Sequence, residues 1–222
     1  MTAIQFTYVA SVYAIVAQRP ATLKECYTVP MYAIILAAGL ASRAGGEKLF
    51  WKTEGKPLVV HAAEAALGAG LKTIVVTGFQ GGRVESLLAP YPEITIVRNE
   101  RYESGQLSSI QAGVQALPHP DDFFIALADM PLVRSRHYRE LAGAWDHRTD
   151  GIRPIVDGVA GHPVLVKAAL IPAILAAGTG MRMKDVLASY TITLKKSDDR
   201  SYVTDVDTPS SYQALLDQEH QD

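Results

Sequence analysis

Residues 31–49 read MYAIILAAGLASRAGGEKL, an apolar run that passes directly into a glycine-rich loop. The run lacks polar alternation, which is typical of a strand buried on both faces of a parallel sheet. Similar short runs follow at 72–77, 94–98 and 123–128. Between these runs, stretches that start at Pro57, Gly82 and Gln106 place apolar residues at helical spacing. This alternation of strand and helix predicts an α/β fold with a mostly parallel sheet.

The pattern changes after Pro131, where shorter elements follow one another. We predict, in chain order, a helix at 135–145, a hairpin of strands at 152–156 and 163–166, helices at 168–176 and 183–189, a strand at 191–195 and a helix at 209–216. No internal repeat or long linker divides the chain. We therefore expect residues 31–222 to form a single domain.

The first 30 residues precede this pattern and contain the apolar run Phe6–Ala17. No Lys or Arg precedes the run, although a signal peptide opens with positive charge. The run is also too short to span a bilayer. Because a strand begins at Met31, we expect residues 1–30 to be a dispensable N-terminal extension, with Met31 as an alternative start. A signal peptide is the competing interpretation.

Composition narrows the function classes. The chain has 222 residues, 48% of them hydrophobic, and a formal net charge of -2. Such a chain forms a full core but has no general basic field, so neither nucleic acid nor a membrane is an expected partner. The single cysteine, Cys26, excludes an internal disulfide and a cysteine-based zinc site. It suits a reducing compartment, and the cytoplasm is the expected location.

The loop Leu36–Leu49 combines three glycines with Arg43 and Lys48. Small residues let backbone N–H groups approach a phosphate closely, and the cations supply charge. The loop is neither a Walker A loop nor the GxGxxG dinucleotide motif. The pattern indicates a phosphate-binding loop, and a glycine-rich surface turn with two solvated cations is the alternative.

Carboxylates occur at two positions that suit a metal ion. Asp129 ends an apolar strand in ALADMP, and ligands of parallel sheets bind outside the carboxyl ends of strands. Asp205 and Asp207 lie two residues apart in VTDVDTP and face the same side if that segment is extended. Magnesium prefers one or two such carboxylates together with phosphate oxygens. Helix capping and turn formation are the alternatives for all three residues.

Six motifs in order make the chain similar to a known family. LAAGLASRAGGEKL, GKPLV, GQLSSIQAG, ALADMP, GHPVL and DVDTPSSY resemble the MobA-like nucleotidyltransferases, and most of all the molybdenum cofactor cytidylyltransferases. The resemblance covers Met31 to about Leu216. It implies a three-layer Rossmann-like fold with helices on both faces of the sheet. It also implies a nucleoside triphosphate substrate with Mg²⁺, whose α-phosphorus is attacked by a substrate phosphate with release of pyrophosphate.

The resemblance also implies a role for individual residues. Nucleotide binding falls to Leu36, Ala37, Ala38, Gly39, Arg43, Lys48, Ser109 and Gly113. Catalytic roles fall to Arg43, Lys48 and Asp129, and metal binding to Asp129 and Asp207. Binding of the acceptor falls to Gly161, His162, Pro163 and Arg182. For His162 a purely structural role is an equal alternative, since its sequence context is only turn-like.

Two positions bear on the substrates. Guanylyl-transferring relatives typically have glycine where this chain has Ala38, and Ser109 matches the place where cytidylyltransferases bind a pyrimidine, so CTP is the expected nucleotide. The expected acceptor is molybdopterin, with a molybdoenzyme or its maturation chaperone as protein partner. The family's Gly-Asp-x-Gly-x-Arg segment departs here, because Thr179 replaces the aspartate. Guanylyl transfer, sugar 1-phosphate nucleotidyl transfer and non-catalytic nucleotide binding are the alternatives.

Overall fold

The computed structural model describes residues 31–40 and 46–219. The predictions made for residues 1–30 and for Arg43 lie outside these described residues. Ten strands are present in the described part of the chain: β1 Tyr32–Ala37, β2 Lys52–Thr53, β3 Lys56–Pro57, β4 Lys72–Thr77, β5 Thr95–Arg98, β6 Phe123–Leu127, β7 Gly151–Val156, β8 Val159–Ala160, β9 Val164–Val166 and β10 Ile192–Lys196.

Seven α helices connect the strands within the described residues. They are α1 Leu58–Gly68, α2 Gly81–Leu88, α3 Gln106–Gln115, α4 Ser135–Ala144, α5 Ile171–Ala176, α6 Met183–Leu187 and α7 Pro209–Glu219. Short 3-10 helices cover Lys48–Phe50, Tyr102–Ser104, Ala168–Leu170 and Arg200–Tyr202. None of the described helices is long and apolar enough to cross a membrane.

The main sheet has eight strands in the order β10-β7-β9-β6-β1-β4-β5, with β8 paired to β7. The pairs β6–β1, β1–β4 and β4–β5 are parallel, whereas β9 runs antiparallel to both β6 and β7. β2 and β3 form a separate two-stranded hairpin. The mostly parallel α/β sheet predicted from the sequence is therefore confirmed.

Both faces of the sheet are covered, as the nearly continuous apolar strands predict. Ile35 faces a core built with α1, α2 and α4, and its neighbour Ile34 faces a second core built with α3, α5 and α6. Alternate residues of β1 thus serve opposite faces, and neither residue is exposed to solvent. The arrangement is three-layered, with the sheet between two layers of helices.

Predicted and observed elements differ mainly at their ends. The predicted helix 168–176 begins with a 3-10 turn and becomes α-helical only at Ile171. The helix predicted to start at Gly82 begins at Gly81 and ends at Leu88, two residues before Pro90. β2, β3 and β8 were not predicted, because two residues are too few to show a periodic pattern.

Gly113, which the resemblance assigns to nucleotide binding, packs the helix against the sheet, and its contact with a nucleotide stays a prediction. A Cβ atom at this position would lie 2.4 Å from Ile34 Cγ2 and 3.0 Å from Val76 Cγ2. Gly113 is also absent from the lining of the nucleotide-sized cleft described below. The glycine therefore allows α3 to approach β1 and β4 closely, and nothing in the described structure supports contact with a nucleotide.

We expect Gly113→Ala to lower the free energy of unfolding by about 1–2 kcal/mol, because the overpacking exceeds the gain in helix propensity. Gly143→Ala is the matched control, since Gly143 lies in α4 with nothing within 4 Å of its added Cβ, and it should be neutral or stabilising. Urea titration of both variants measures the difference. Equal stability of the Gly113 variant and the parent would contradict the packing role.

Candidate active site

A cleft of about 320 Å³ opens at the carboxyl edge of the sheet, between the ends of β1 and β6. Ligands of open parallel sheets bind at this edge. The cleft is lined by Leu36, Ala37, Ala38, Gly39, Leu40, Lys48, Leu49, Tyr102, Glu103, Gly105, Gln106, Ser109, Leu127 and Asp129. Six of the eight residues predicted to bind the nucleotide therefore meet in one place, together with Asp129, which was predicted to be catalytic and to bind the metal.

Lys48 lies at the centre of the site. Its Nζ donates to Asp129 Oδ2 at 2.5 Å and to Asp207 Oδ1 at 2.6 Å. The lysine side chain is only 13% exposed. Lys48 belongs to a 3-10 helix after the glycine-rich loop, Asp129 follows β6, and Asp207 precedes α7. Three separate segments of the chain therefore converge on one ammonium group.

The electrostatics of this cluster keep the lysine charged. Burial lowers the pKa of Lys48, but the carboxylates of Asp129 and Asp207 outweigh the burial and raise the pKa above its usual value. A cation that stays charged and partly shielded from water interacts strongly with phosphate oxygens. The cluster is therefore suited to holding the triphosphate of a nucleotide.

The backbone fixes both carboxylates. The Val206 N–H donates to the Asp129 carbonyl at 2.9 Å, which docks the C-terminal segment onto the end of β6. The Ser211 N–H donates to Thr208 Oγ1 at 3.1 Å, so Thr208 caps α7. Capping is thus the role of Thr208, and the carboxylate of Asp207 is directed to Lys48 instead.

The carboxylates fit a metal ion that takes most of its ligands from phosphate and water. Asp129 Oδ1 is buried and has no hydrogen-bond partner among the described residues, so it is available to a cation. No group of three or more His, Cys, Asp or Glu in the described part of the chain can hold a metal by itself. Magnesium characteristically binds through one or two carboxylates plus substrate phosphates, which matches this donor set.

Asp205 differs from the other two aspartates. Desolvation of its carboxylate and the negative charges of Asp207 and Asp129 raise its pKa. No hydrogen bond from Lys48 to Asp205 is observed, in contrast to the two bonds that Lys48 makes to Asp129 and Asp207. Asp205 therefore contributes to the negative field of the site.

The opposite wall of the cleft is polar and includes Ser109. Asn99 Nδ2 donates to Ser109 Oγ at 3.0 Å and to Ser108 Oγ at 2.8 Å, while Asn99 Oδ1 accepts from the Arg101 N–H at 2.9 Å. Asn99 is buried and thereby fixes both the start of α3 and the loop before it. The Ser109 hydroxyl accepts from Asn99, so its own hydrogen can be directed to a ligand.

Sequence reasoning missed this supporting wall. Asn99, Tyr102, Glu103 and Gly105 were not singled out, although the segment NERYESG directly follows β5. The available signal was a polar loop after an apolar strand, next to a predicted helix start. Such loops are common in α/β proteins. This one belongs to the cleft only because the fold brings it close to the ends of β1 and β6.

Gly161, His162 and Pro163 lie beside β6, just before β9. A Cβ at Gly161 would lie 2.3 Å from the Tyr202 carbonyl oxygen, so no side chain fits there. The His162–Pro163 peptide bond is cis, and the His162 N–H donates to that Tyr202 carbonyl at 2.8 Å. Gly161 and Pro163 therefore shape the backbone that presents the His162 side chain.

The surroundings of His162 determine the ionisation state of its imidazole. Burial and the positive charge of Arg153 lower the pKa of His162 to about 4. A backbone hydrogen bond at Ile125 and the negative charge of Asp129 act in the opposite direction, but they are weaker. The imidazole is thus neutral in the free protein at pH 7. Its Nδ1 is buried with no hydrogen-bond partner among the described residues.

Arg182 was predicted to bind the acceptor, and it lies outside the cleft. It precedes the short helix α6, where its backbone N–H donates to Asp185 Oδ2 at 2.8 Å. Its side chain is 69% exposed, and its Nε lies 3.5 Å from Asp185. In this structure Arg182 therefore stabilises the start of α6.

A larger cavity, of about 530 Å³, occurs at the opposite edge of the sheet and does not contain the predicted site. Its lining includes Tyr32 and Lys72, which begin β1 and β4. None of Lys48, Asp129 and Asp207 lies there. Because ligands of such sheets bind at the carboxyl ends of strands, the smaller cleft is the candidate site.

Known proteins are similar to this chain in sequence and in architecture. Residues 33–197 match the MobA-like NTP transferase domain. The molybdenum cofactor cytidylyltransferase of Escherichia coli is 32% identical over 183 residues, which cover 81% of this chain and 92% of that protein. A probable molybdenum cofactor guanylyltransferase of Thermococcus sibiricus is 29% identical over 48% of this chain and 51% of that protein.

Among solved structures, a nucleotidyl transferase from Methanothermobacter thermautotrophicus superposes with a TM-score of 0.74 at 22% identity, over 87% of this chain and 99% of that one. The structural similarity shows the fold, whereas the family match and the Escherichia coli relative indicate the type of reaction. The chain belongs to the MobA-like NTP transferase family and is a nucleotidyltransferase.

Proposed function

We propose that this nucleotidyltransferase transfers CMP from CTP to the phosphate of molybdopterin, with Mg²⁺, and releases pyrophosphate. An oxygen of the acceptor phosphate forms a bond to the α-phosphorus of CTP. The bond from that phosphorus to the bridging oxygen of the β-phosphate breaks, and the electron pair leaves with pyrophosphate. The observation that carries the proposal is Lys48, held between Asp129 and Asp207 at the cleft.

Nucleotidyl transfer depends on alignment and charge neutralisation more than on a protein nucleophile. Lys48 donates its ammonium hydrogens to phosphate oxygens and offsets the charge that builds on pyrophosphate. Asp129 and Asp207 are the residues that would hold Mg²⁺, which supplies further charge neutralisation at the α-phosphate. Arg43, from the same glycine-rich loop as Lys48, is proposed as a second cation for the triphosphate.

The proposal of CTP rests on the walls of the cleft. Ser109 has a hydroxyl hydrogen to donate, and the edge of cytosine offers two acceptors, the carbonyl oxygen O2 and the ring nitrogen N3. Ala38 adds a methyl group to the lining of the same cleft, where a glycine would leave more room for a larger base. The Escherichia coli relative is a cytidylyltransferase, which supports the same assignment.

The proposal of molybdopterin rests on the relatives and on the unpartnered Nδ1 of His162 beside β6. The names of the two relatives described above include the molybdenum cofactor, one as a cytidylyltransferase and one as a probable guanylyltransferase. His162 presents an unpartnered Nδ1 beside β6, on the side away from the glycine-rich loop. Pyrophosphate release measured with each of the four ribonucleoside triphosphates, with and without molybdopterin, tests the proposed reaction directly.

We expect CTP to bind at least about tenfold more tightly than GTP at matched Mg²⁺, in isothermal calorimetry. Ser109→Ala should weaken CTP binding by about threefold to tenfold, because one hydrogen bond is lost. Ser86→Ala is the control, since Ser86 is exposed and donates only to its own helix. Tighter binding of GTP than of CTP would contradict the assignment of the base.

We expect Asp129→Asn to lower turnover by about two to four orders of magnitude, because the site loses a charged metal ligand. Lys48→Ala should be comparably damaging, with part of the loss in affinity for CTP. Lys56→Ala is the control, because Lys56 forms an exposed ion pair with Glu64. An Asp129 variant that turns over within threefold of the parent would rule out the metal role.

We expect His162→Ala to raise the Michaelis constant of the acceptor by about tenfold and to leave the affinity for CTP nearly unchanged, since a contact to the charged acceptor is lost. Separate titrations of CTP and acceptor measure the two effects. A defect confined to CTP would place His162 on the nucleotide side.

A further inference from the structure

Arg153, in β7, is a partly buried cation whose charge is not balanced by a neighbouring carboxylate. Its Nη2 donates to the Gly161 carbonyl at 3.2 Å, and no ion pair of Arg153 occurs among the described residues. Its Nε is buried and has no hydrogen-bond partner in that part of the chain. Burial lowers the pKa of the guanidinium, although arginine stays charged at neutral pH.

Among the described arginines, Arg101 and Arg139 also lack a carboxylate partner, but both are exposed, whereas Arg153 is partly buried. Arg134, Arg136 and Arg200 each pair with a carboxylate, at 2.6, 3.0 and 3.0 Å respectively. A charge that is removed from water without a partner destabilises the folded chain. A bound anion would supply the missing partner, and a guanidinium is the side chain best shaped to bind a phosphate.

The sheet register places Arg153 level with Ile125 in the middle of β6, and its side chain reaches toward the edge that carries the active site. β9 runs antiparallel to β6, so the start of β9 lies beside the carboxyl end of β6. β7 is antiparallel to β9, and the bond from Arg153 to the Gly161 carbonyl brings the guanidinium to the residue before His162. Arg153 therefore reaches the segment that lies next to the end of β6.

The side chain of Arg153 also lies on the face of the sheet that α3 covers. Ile152 and Val156 pack into the core formed with α1, α2 and α4, so the side chain of Arg153 extends from the other face. That other face is covered by α3, whose first turns carry Ser109 and Gln106 of the nucleotide cleft. Arg153 and the α3 wall of the nucleotide cleft are therefore on the same side of the sheet.

His162 connects the two charged groups. The positive charge of Arg153 lowers the pKa of its imidazole, and the negative charge of Asp129 raises it, so both charges lie near the ring. The ring Nδ1 is a second buried polar atom with no hydrogen-bond partner among the described residues. An unbalanced guanidinium, an unpartnered imidazole nitrogen and the Asp129 carboxylate thus occur together.

We propose that Arg153, whose guanidinium reaches the residue before His162, forms a subsite for the phosphate group of the acceptor. This inference rests on the proposed function and deepens it, because it assigns the group that holds the attacking phosphate. The acceptor phosphate and the triphosphate are both anionic and repel each other at the distance needed for reaction. A guanidinium at the acceptor reduces that repulsion and fixes the orientation of the attacking oxygen.

Arg182, the arginine assigned to the acceptor from the sequence, is a weaker candidate for this subsite. It is mostly exposed and lies 3.5 Å from the Asp185 carboxylate, so its charge is already compensated and hydrated. Arg153 is less exposed and has no carboxylate partner among the described residues. The phosphate interaction is therefore assigned to Arg153.

The test compares a ligand with and without its phosphate. Oxidised molybdopterin, whose pterin ring is fluorescent, is titrated in its phosphorylated and dephosphorylated forms into the full chain in the presence of CTP. The protein variants are the parent, Arg153→Gln, Arg153→Lys and the control Arg200→Gln. Arg200 lies in the neighbouring 3-10 helix, and its exposed side chain pairs with Asp157. Circular dichroism melting confirms that each variant is folded.

We expect the parent to bind the phosphorylated form at least tenfold more tightly than the dephosphorylated form. Arg153→Gln should remove most of this preference by weakening only the phosphorylated form, and Arg153→Lys should restore part of it. Arg200→Gln should behave as the parent. Equal weakening of both forms by Arg153→Gln, or no weakening, would overturn the subsite.

A second titration separates this inference from the proposed function. If the parent binds neither pterin form, the proposal of molybdopterin fails, and inorganic phosphate becomes the probe. Calorimetric binding of phosphate that is at least tenfold weaker in Arg153→Gln than in the parent then supports the subsite. Identical binding of phosphate to both proteins, or none to the parent, overturns it.

Discussion

The two hydrogen bonds of the Lys48 ammonium to Asp129 and Asp207 join segments that are 81 and 159 residues apart in the chain. Without the lysine, two partly buried carboxylates would face each other and repel. With it, the loop after β1, the end of β6 and the segment before α7 are held at one point. The position of the C-terminal helix and the shape of the nucleotide cleft both depend on this ion-pair cluster.

Strand direction explains why the substrates meet where they do. β1 and β6 are parallel neighbours, so the loops that follow them form one edge, with the nucleotide cleft between them. β9 returns antiparallel on the other side of β6 and brings its own first residues to that same edge. The proposed acceptor side and the nucleotide side thus lie on either side of β6, with Asp129 at its end.

The charge of the molecule is arranged locally. A chain with a net charge of -2 does not attract polyphosphate as a whole. Lys48 instead places positive charge at the carboxyl edge and Arg153 places it beside the segment before β9, and each is partly shielded from water. Lys48 is balanced by carboxylates, whereas Arg153 has no carboxylate partner among the described residues. The first arrangement favours a preformed site, and the second favours a site completed by an anionic ligand.

The sequence by itself determined the α/β fold, because strands buried in a parallel sheet require apolar runs. These runs and the glycine-rich loop can be recognised directly in the sequence. It also identified Lys48, Asp129 and Asp207, since their motifs are local and ordered along the chain. It could not assign Gly113, whose role depends on how closely α3 approaches Ile34 and Val76. Nor could it find Asn99 or Arg153, because a buried partner or an unbalanced charge is defined only by neighbours distant in sequence. The tertiary structure decided those features, because it determines which strands are adjacent and which side chains are removed from water.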